Sequence, residues 1–112
     1  MQTLFVYGSL APGRPNEHVL APLGGTWQPA AVRGHLMQLG WGAAMGYPAL
    51  MLDDAGAEVR GFVFTAAGLP AFWDTLDAFE GDQYQRVLTT ARLDDGSLVE
   101  ACVYVLAQEV SG

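Results

Sequence analysis

The feature that most constrains this chain is the stretch Leu69 to Glu80, its longest run with helical periodicity, set among segments patterned as strands. At about 100° per residue, Leu69, Phe72, Trp73, Leu76 and Phe79 fall on one side of the wheel, within an arc of roughly 120°. Pro70 suits a helix start, and Gly81 suits a C-cap. Glu80 falls inside the apolar arc, whereas Asp74 and Asp77 fall at its edge or beyond, where solvated carboxylates belong. A carboxylate turned into an apolar pocket has a raised pKa and can exchange protons near neutral pH. The plainer alternative is a Glu80 that swings out to water at the helix end or pairs with Arg86.

The flanking segments read as follows. Leu4 to Tyr7 is a buried strand ending at Gly8-Ser9, where consecutive N–H groups can form an anion-binding nest or simply turn the chain. Asn16 can cap a short helix from Glu17 to Leu23, closed by Gly24-Gly25. A strand is expected over Ala31 to Leu39. The glycine-rich, aromatic segment from Gly40 to Pro48 then either lines a pocket or packs a small core. Ala49 to Leu52 and Val59 to Phe64 read as a hairpin about Asp53-Asp54-Ala55-Gly56. Tyr84 to Leu93 and Ser97 to Leu106 form a second hairpin about Asp94-Asp95-Gly96. Strand, helix, strand, hairpin, helix, hairpin describes an α+β (mixed α/β) domain, with a small, twisted, largely antiparallel sheet that can close into a barrel. No Gly-x-Gly-x-x-Gly follows the first strand, and hairpins outnumber helices, so a doubly wound fold is not expected. The 112 residues suit one domain, 1–112.

Charge and composition narrow the function. Twelve acids face five arginines with no lysine, and the net charge of −7 argues against nucleic acid or an anionic membrane as partner. A small anionic ligand would be held by backbone N–H groups with one arginine at most. The single Cys102 excludes an internal disulfide and reads as a strand residue. His18 and His35 stand far apart and read as surface or packing residues, so no metal site is expected. Ser9 lacks the glycines of a nucleophile elbow, and no serine hydrolase is expected. The apolar runs are too short to span a membrane, which makes a cytoplasmic protein the expectation.

Several motifs together resemble the γ-glutamylcyclotransferase-like superfamily, in particular its short members related to γ-glutamylamine cyclotransferase. They are Tyr7-Gly8-Ser9-Leu10 with Gly13 and Asn16, Gly46-Tyr47-Pro48-Ala49, Val59-Arg60-Gly61, and Leu76-Asp77-x-x-Glu80-Gly81-x-x-Tyr84-x-Arg86. The resemblance spans nearly the whole chain. It implies a mixed barrel with flanking helices and a cavity between the loop after the first strand and the end of the Glu-bearing helix. It implies that Gly8, Ser9 and Leu10 offer N–H groups to the substrate's α-carboxylate, that Glu80 is the general acid/base, and that Tyr7, Tyr47 and Tyr84 line the cavity. Arg86 is then a supporting residue, most simply a structural ion pair.

The implied reaction is intramolecular attack of an α-amino group on the γ-carbonyl of a γ-glutamyl amine or amide, releasing 5-oxoproline and an amine. It requires neither metal nor cofactor, because one carboxylate can take the proton from the α-ammonium and return it to the departing nitrogen. Leu10 stands where the longer branch of the superfamily has Asn, so that branch's specificity is not implied. Alternatives on the same fold are a non-catalytic small-carboxylate binding or regulatory protein, and a γ-glutamyl transferase or amidohydrolase. A monomer or a homodimer fits equally, and arginine without lysine points weakly to a bacterial source.

Overall fold

The computed structural model describes residues 1–7, 17–37, 49–81 and 84–106. Its strands are β1 (Thr3–Val6), β2 (Thr26–Met37), β3 (Ala49–Leu52), β4 (Ala57–Thr65), β5 (Tyr84–Leu93) and β6 (Leu98–Leu106), and α1 (Trp73–Glu80) lies between β4 and β5. The sheet runs β3-β2-β4-β1-β6-β5, and a further pairing of β5 with β2 closes five of the strands into a barrel, with β3 added alongside β2. All pairs are antiparallel except β1 with β6, so the barrel is mixed.

Alternation along the strands builds two cores from one sheet. Phe5 on β1, Val63 on β4 and Ala101 and Val103 on β6 point into the barrel with Ala30, Val32, Leu50, Val59 and Ala91. Leu4, Val6, Phe64, Cys102 and Tyr104 belong to a second cluster, covered by Leu69, Trp73 and Leu76. The second half of β6 is therefore buried on both faces, from Ala101 to Tyr104.

Three expectations need correction. The run from Leu69 to Glu80 is a 3-10 turn, Leu69–Ala71, followed by α1, with Phe72 between them. A 3-10 turn advances about 120° per residue, so the wheel loses phase by its last turn. Phe79, placed on the apolar stripe, is in fact 43% exposed. The segment Glu17 to Leu23 forms two 3-10 turns rather than an α-helix, consistent with Pro22, which has no N–H to give and blocks a continuous helix. Its expected cap, Asn16, lies outside the described residues. β2 starts at Thr26, five residues before its expected start at Ala31. Among the described residues α1 is the only α-helix.

The expected hairpin of β3 with β4 is also absent. Both strands pair with β2, on its opposite edges, with Gly34 opposite Leu52 on one side and Ala57 on the other. The turn between them is tied by Asp53 N to Arg33 O at 3.1 Å and Gly56 N to Asp53 O at 2.8 Å, and it crosses β2 at Arg33 and Gly34. A twelve-residue strand has room for two partners, which local patterning cannot reveal. The hairpin at Asp94-Asp95-Gly96 forms as expected, with Gly96 at φ +89°.

Gly61 explains the Val-x-Gly motif of β4. A Cβ there would lie 2.4 Å from Val6 O and 2.8 Å from the Phe5 ring, so β4 can cross β1 only without a side chain at that point. Gly61→Ala is expected to destabilise the fold by about 2–3 kcal/mol through overpacking. Urea unfolding with a lowered midpoint and an unchanged slope would show it; an unchanged midpoint would mean that the strands yield freely.

Candidate functional site

Chain direction brings the site together. β1 and β6 run parallel with Leu4 opposite Cys102, so Tyr7, just past the end of β1, reaches the level of Tyr104. The Tyr7 hydroxyl donates to the Tyr104 carbonyl at 2.6 Å, and its ring stacks on Phe5 at 6.3 Å between centroids. The Tyr7 ring thus continues the inner face of the barrel.

Glu80 is the last residue of α1 and half-buried. Gly81 follows with φ 83° and ψ −177°, a conformation essentially reserved for glycine, and its N–H caps the Asp77 carbonyl. From there the chain passes to Tyr84, whose N–H bonds the Gly81 carbonyl at 3.2 Å, and β5 begins. This sharp exit brings the Glu80 carboxyl close enough to Tyr7 and Tyr84 to act on both phenols electrostatically.

Burial dominates the electrostatics. Desolvation pushes Glu80 up to a pKa of about 7. Tyr7 is raised first by burial and then by Glu80 and Tyr84, against a backbone hydrogen bond from Leu50 that lowers it. Tyr84 is raised by burial and by Glu80. Both phenols therefore stay protonated at neutral pH, and the carboxyl is the group poised to exchange a proton there.

Arg86 pairs with Asp77, not with Glu80. Its Nε lies 3.3 Å from Asp77 Oδ1 and its NH2 lies 3.3 Å from Oδ2, while the guanidinium stacks over the Trp73 ring at 4.6 Å. Tyr104 donates its hydroxyl to Asp77 Oδ1 at 2.6 Å. Asp77, expected as an ordinary solvated carboxylate, is thus the acceptor of a three-donor cluster. Tyr104 was not among the sequence candidates at all. The signal for both was an acid and an arginine on either side of the Gly81 turn, opposite an aromatic residue in an alternating strand.

The other described arginines are engaged elsewhere. Arg33 donates to Gly56 O at 3.1 Å, Arg60 pairs with Asp94 at 3.0 Å, and Arg92 bonds Glu58. Exposed His35 bonds Asp53 at 2.9 Å, and His18 is exposed. Cys102 is buried within β6. Gly8, Ser9, Leu10 and Tyr47 lie outside the described residues. No helix of the described residues is long and apolar enough to cross a membrane. A groove of about 510 Å³ runs along the seam of β5 and β2, lined by Leu52, Leu88, Thr90 and Leu98 among others, and includes none of Tyr7, Glu80 or Tyr84.

Comparison with known proteins gives a consistent fold. YkqA from Bacillus subtilis is 27% identical with a TM-score of 0.71; the alignment covers 94% of this chain and 35% of YkqA, so the chain spans about a third of that protein's length. An AIG2-like protein from Mus musculus is 24% identical with a TM-score of 0.72, covering 99% of this chain and 80% of the mouse protein. A protein from Arabidopsis thaliana is 24% identical with a TM-score of 0.71, covering 99% and 73% respectively. These last two speak to the fold alone. No curated protein matches the sequence. A family model matches residues 4–112, its barrel and its Glu80-Gly81-x-x-Tyr84 turn included, and the chain belongs to the gamma-glutamyl cyclotransferase, AIG2-like family.

Proposed function

We propose that this protein is a γ-glutamyl cyclotransferase acting on a γ-glutamyl amine or amide, with Glu80 as its general acid/base. The observation that carries the reading is the desolvated Glu80 carboxyl beside Tyr7 and Tyr84, with a pKa of about 7. Family membership supports the reaction class.

In this reading the ionised Glu80 takes a proton from the substrate's α-ammonium. The freed amine attacks the γ-carbonyl carbon, and a new C–N bond closes a five-membered lactam. The C–N bond to the leaving amine then breaks as Glu80 returns the first proton to that nitrogen, and the second proton lost by the ring nitrogen ends on the released amine, which departs as an ammonium. The gain is chiefly one of proximity, since nucleophile and electrophile share one chain and need only be folded together. Tyr7, Tyr84 and Tyr47 form walls that favour the folded substrate. Gly8, Ser9 and Leu10 hold its α-carboxylate through main-chain N–H groups, a role consistent with the engagement of Arg33, Arg60, Arg86 and Arg92 elsewhere. Arg86 supports the helix end that carries Glu80 through its pairing with Asp77.

Glu80→Gln keeps the shape and removes the titrating group. A panel of γ-glutamyl amines and γ-glutamyl dipeptides assayed for 5-oxoproline should show turnover by the wild type and a loss of about 10²–10⁴-fold in the variant. Retention of activity in Glu80→Gln would refute the assignment, and release of free glutamate in place of 5-oxoproline would make the protein an amidohydrolase. In the wild type, kcat/KM should climb about tenfold per pH unit below pH 7 and level off above it, reporting the free-enzyme carboxyl. A profile flat from pH 5 to 8 would exclude Glu80 as the base.

Stability carries an independent sign. The folded pKa of Glu80 exceeds its ordinary value of 4.5, so the folded state holds the extra proton between about pH 4.5 and 7. Stability is full below that window and falls as pH rises through it. Glu80→Gln should therefore equal the wild type near pH 4 and exceed it at pH 8 by about 1–3 kcal/mol, discounted for partial exposure. Thermal or urea unfolding at both pH values measures this, and equal stability at pH 8 would mean that Glu80 is solvated.

A further inference from the structure

Of the three carboxylates on α1, Asp77 and Glu80 stand three residues apart toward its C-terminal end, and of these two only Asp77 is given a cation. Asp77 and Glu80 are neighbours on the helix surface, separated by one turn, with about 5–6 Å between their Cβ atoms. Opposite them, Tyr84 and Arg86 alternate by two along β5 and so lie on one face of that strand. Arg86 is the only cationic side chain on α1, β1, β6 or the first half of β5. By sequence spacing alone that guanidinium could pair with either acid.

The structure makes the choice through geometry. Asp77 offers Oδ1 and Oδ2 to Arg86 Nε and NH2, each at 3.3 Å. Trp73, one turn earlier on α1, holds the guanidinium plane at 4.6 Å from its ring centroid, and its own Nε1 donates to Met1 O at 3.1 Å. Tyr104 fixes Asp77 Oδ1 from the β6 side at 2.6 Å. Among the described residues, the ionisable groups within electrostatic reach of Glu80 are Tyr7 just past β1, Tyr84 from β5 and Tyr104 from β6, all phenols.

We propose that Asp77 is a positioning residue that holds Arg86 one helical turn away from Glu80, so that no described cation bonds the acid/base carboxyl. This rests on the reading of Glu80 as the acid/base. A Glu80 paired with Arg86 would be a weak proton acceptor, because an opposite charge within about 4–6 Å favours the ionised form and lowers a carboxyl pKa by about 1–3 units. The substrate's own α-ammonium would then have to displace a resident guanidinium. Anchored on Asp77, Arg86 leaves that place to the substrate.

The test is direct titration of the Glu80 side-chain carboxyl by carbon-13 NMR in the full chain, which needs no turnover. In Asp77→Asn the amide oxygen can still accept from Tyr104 while the ion pair is gone. The Glu80 midpoint is expected to fall by about one unit or more, and the double variant Asp77→Asn with Arg86→Gln should return it to the wild-type position. Arg86→Gln alone should leave the midpoint within a few tenths of a unit. An unchanged midpoint in Asp77→Asn, a rise in Arg86→Gln, or a double variant that stays low would each overturn the proposal. A purely structural clamp would instead lower stability in both single variants with the Glu80 midpoint in place. Should Asp77→Asn fail to fold, Asp77→Ser takes its place with the same expected fall, and a rise in Arg86→Gln would still overturn the proposal. Wild-type inactivity towards every γ-glutamyl compound would sink the enzymatic reading separately, with the midpoints still judging Asp77.

Discussion

The Asp77 carboxylate gathers Tyr104 from β6 and Arg86 from β5 onto one helix that is only eight residues long. A two-turn helix has little stability of its own and depends on what it is packed against. Trp73 and Leu76 bury its apolar side, a non-directional contribution. The Asp77 bonds are directional and charge-assisted, and they fix the helix end that apolar packing leaves loosely determined. Glu80 inherits its place from that fixation, and Gly81 converts it into a sharp exit toward β5.

The electrostatic design is one of separation. Asp77 is half-exposed and neutralised by a guanidinium, whereas Glu80 is withdrawn from water among phenols that remain protonated. Two acids on one short helix thus meet opposite environments, and their chemistry follows from the environment rather than from the residue type. The acidic balance of the chain suits this arrangement, because the other described arginines are committed to structural pairs: Arg60 and Arg92 on acids of the β5–β6 turn and β4, Arg33 on a main-chain carbonyl.

Much of this was legible in the sequence where the signal is local. β1, β5, β6 and the Gly96 turn follow from alternation and from a glycine at positive φ, and the capping of α1 follows from Gly81. The helical wheel found Glu80, though it carried Phe79 inward with it, because a 3-10 turn ahead of α1 shifts the phase. Pairing was not legible: β3 and β4 look like a hairpin until a long β2 comes between them. Asp77 was missed for a related reason. An edge position on a wheel says where a side chain leaves the helix, not which strand waits there, and Tyr104 reaches it across 27 residues of sequence.

The parallel pairing of β1 with β6 joins the first described strand to the last. Leu4 finds Cys102, and Tyr7 finds the Tyr104 carbonyl, 97 residues away. A growing chain can form the β5–β6 hairpin and the β2–β4 pair as local units, yet the barrel stays open until its final strand has been made. The inner wall at Tyr7 and the anchor at Asp77 both wait for β6 as well. Loop closure of that span must be met before the contacts that reward it exist, which favours slow, all-or-none folding. Closure of the barrel and assembly of the candidate site are therefore one event, so a partly made chain would hold neither.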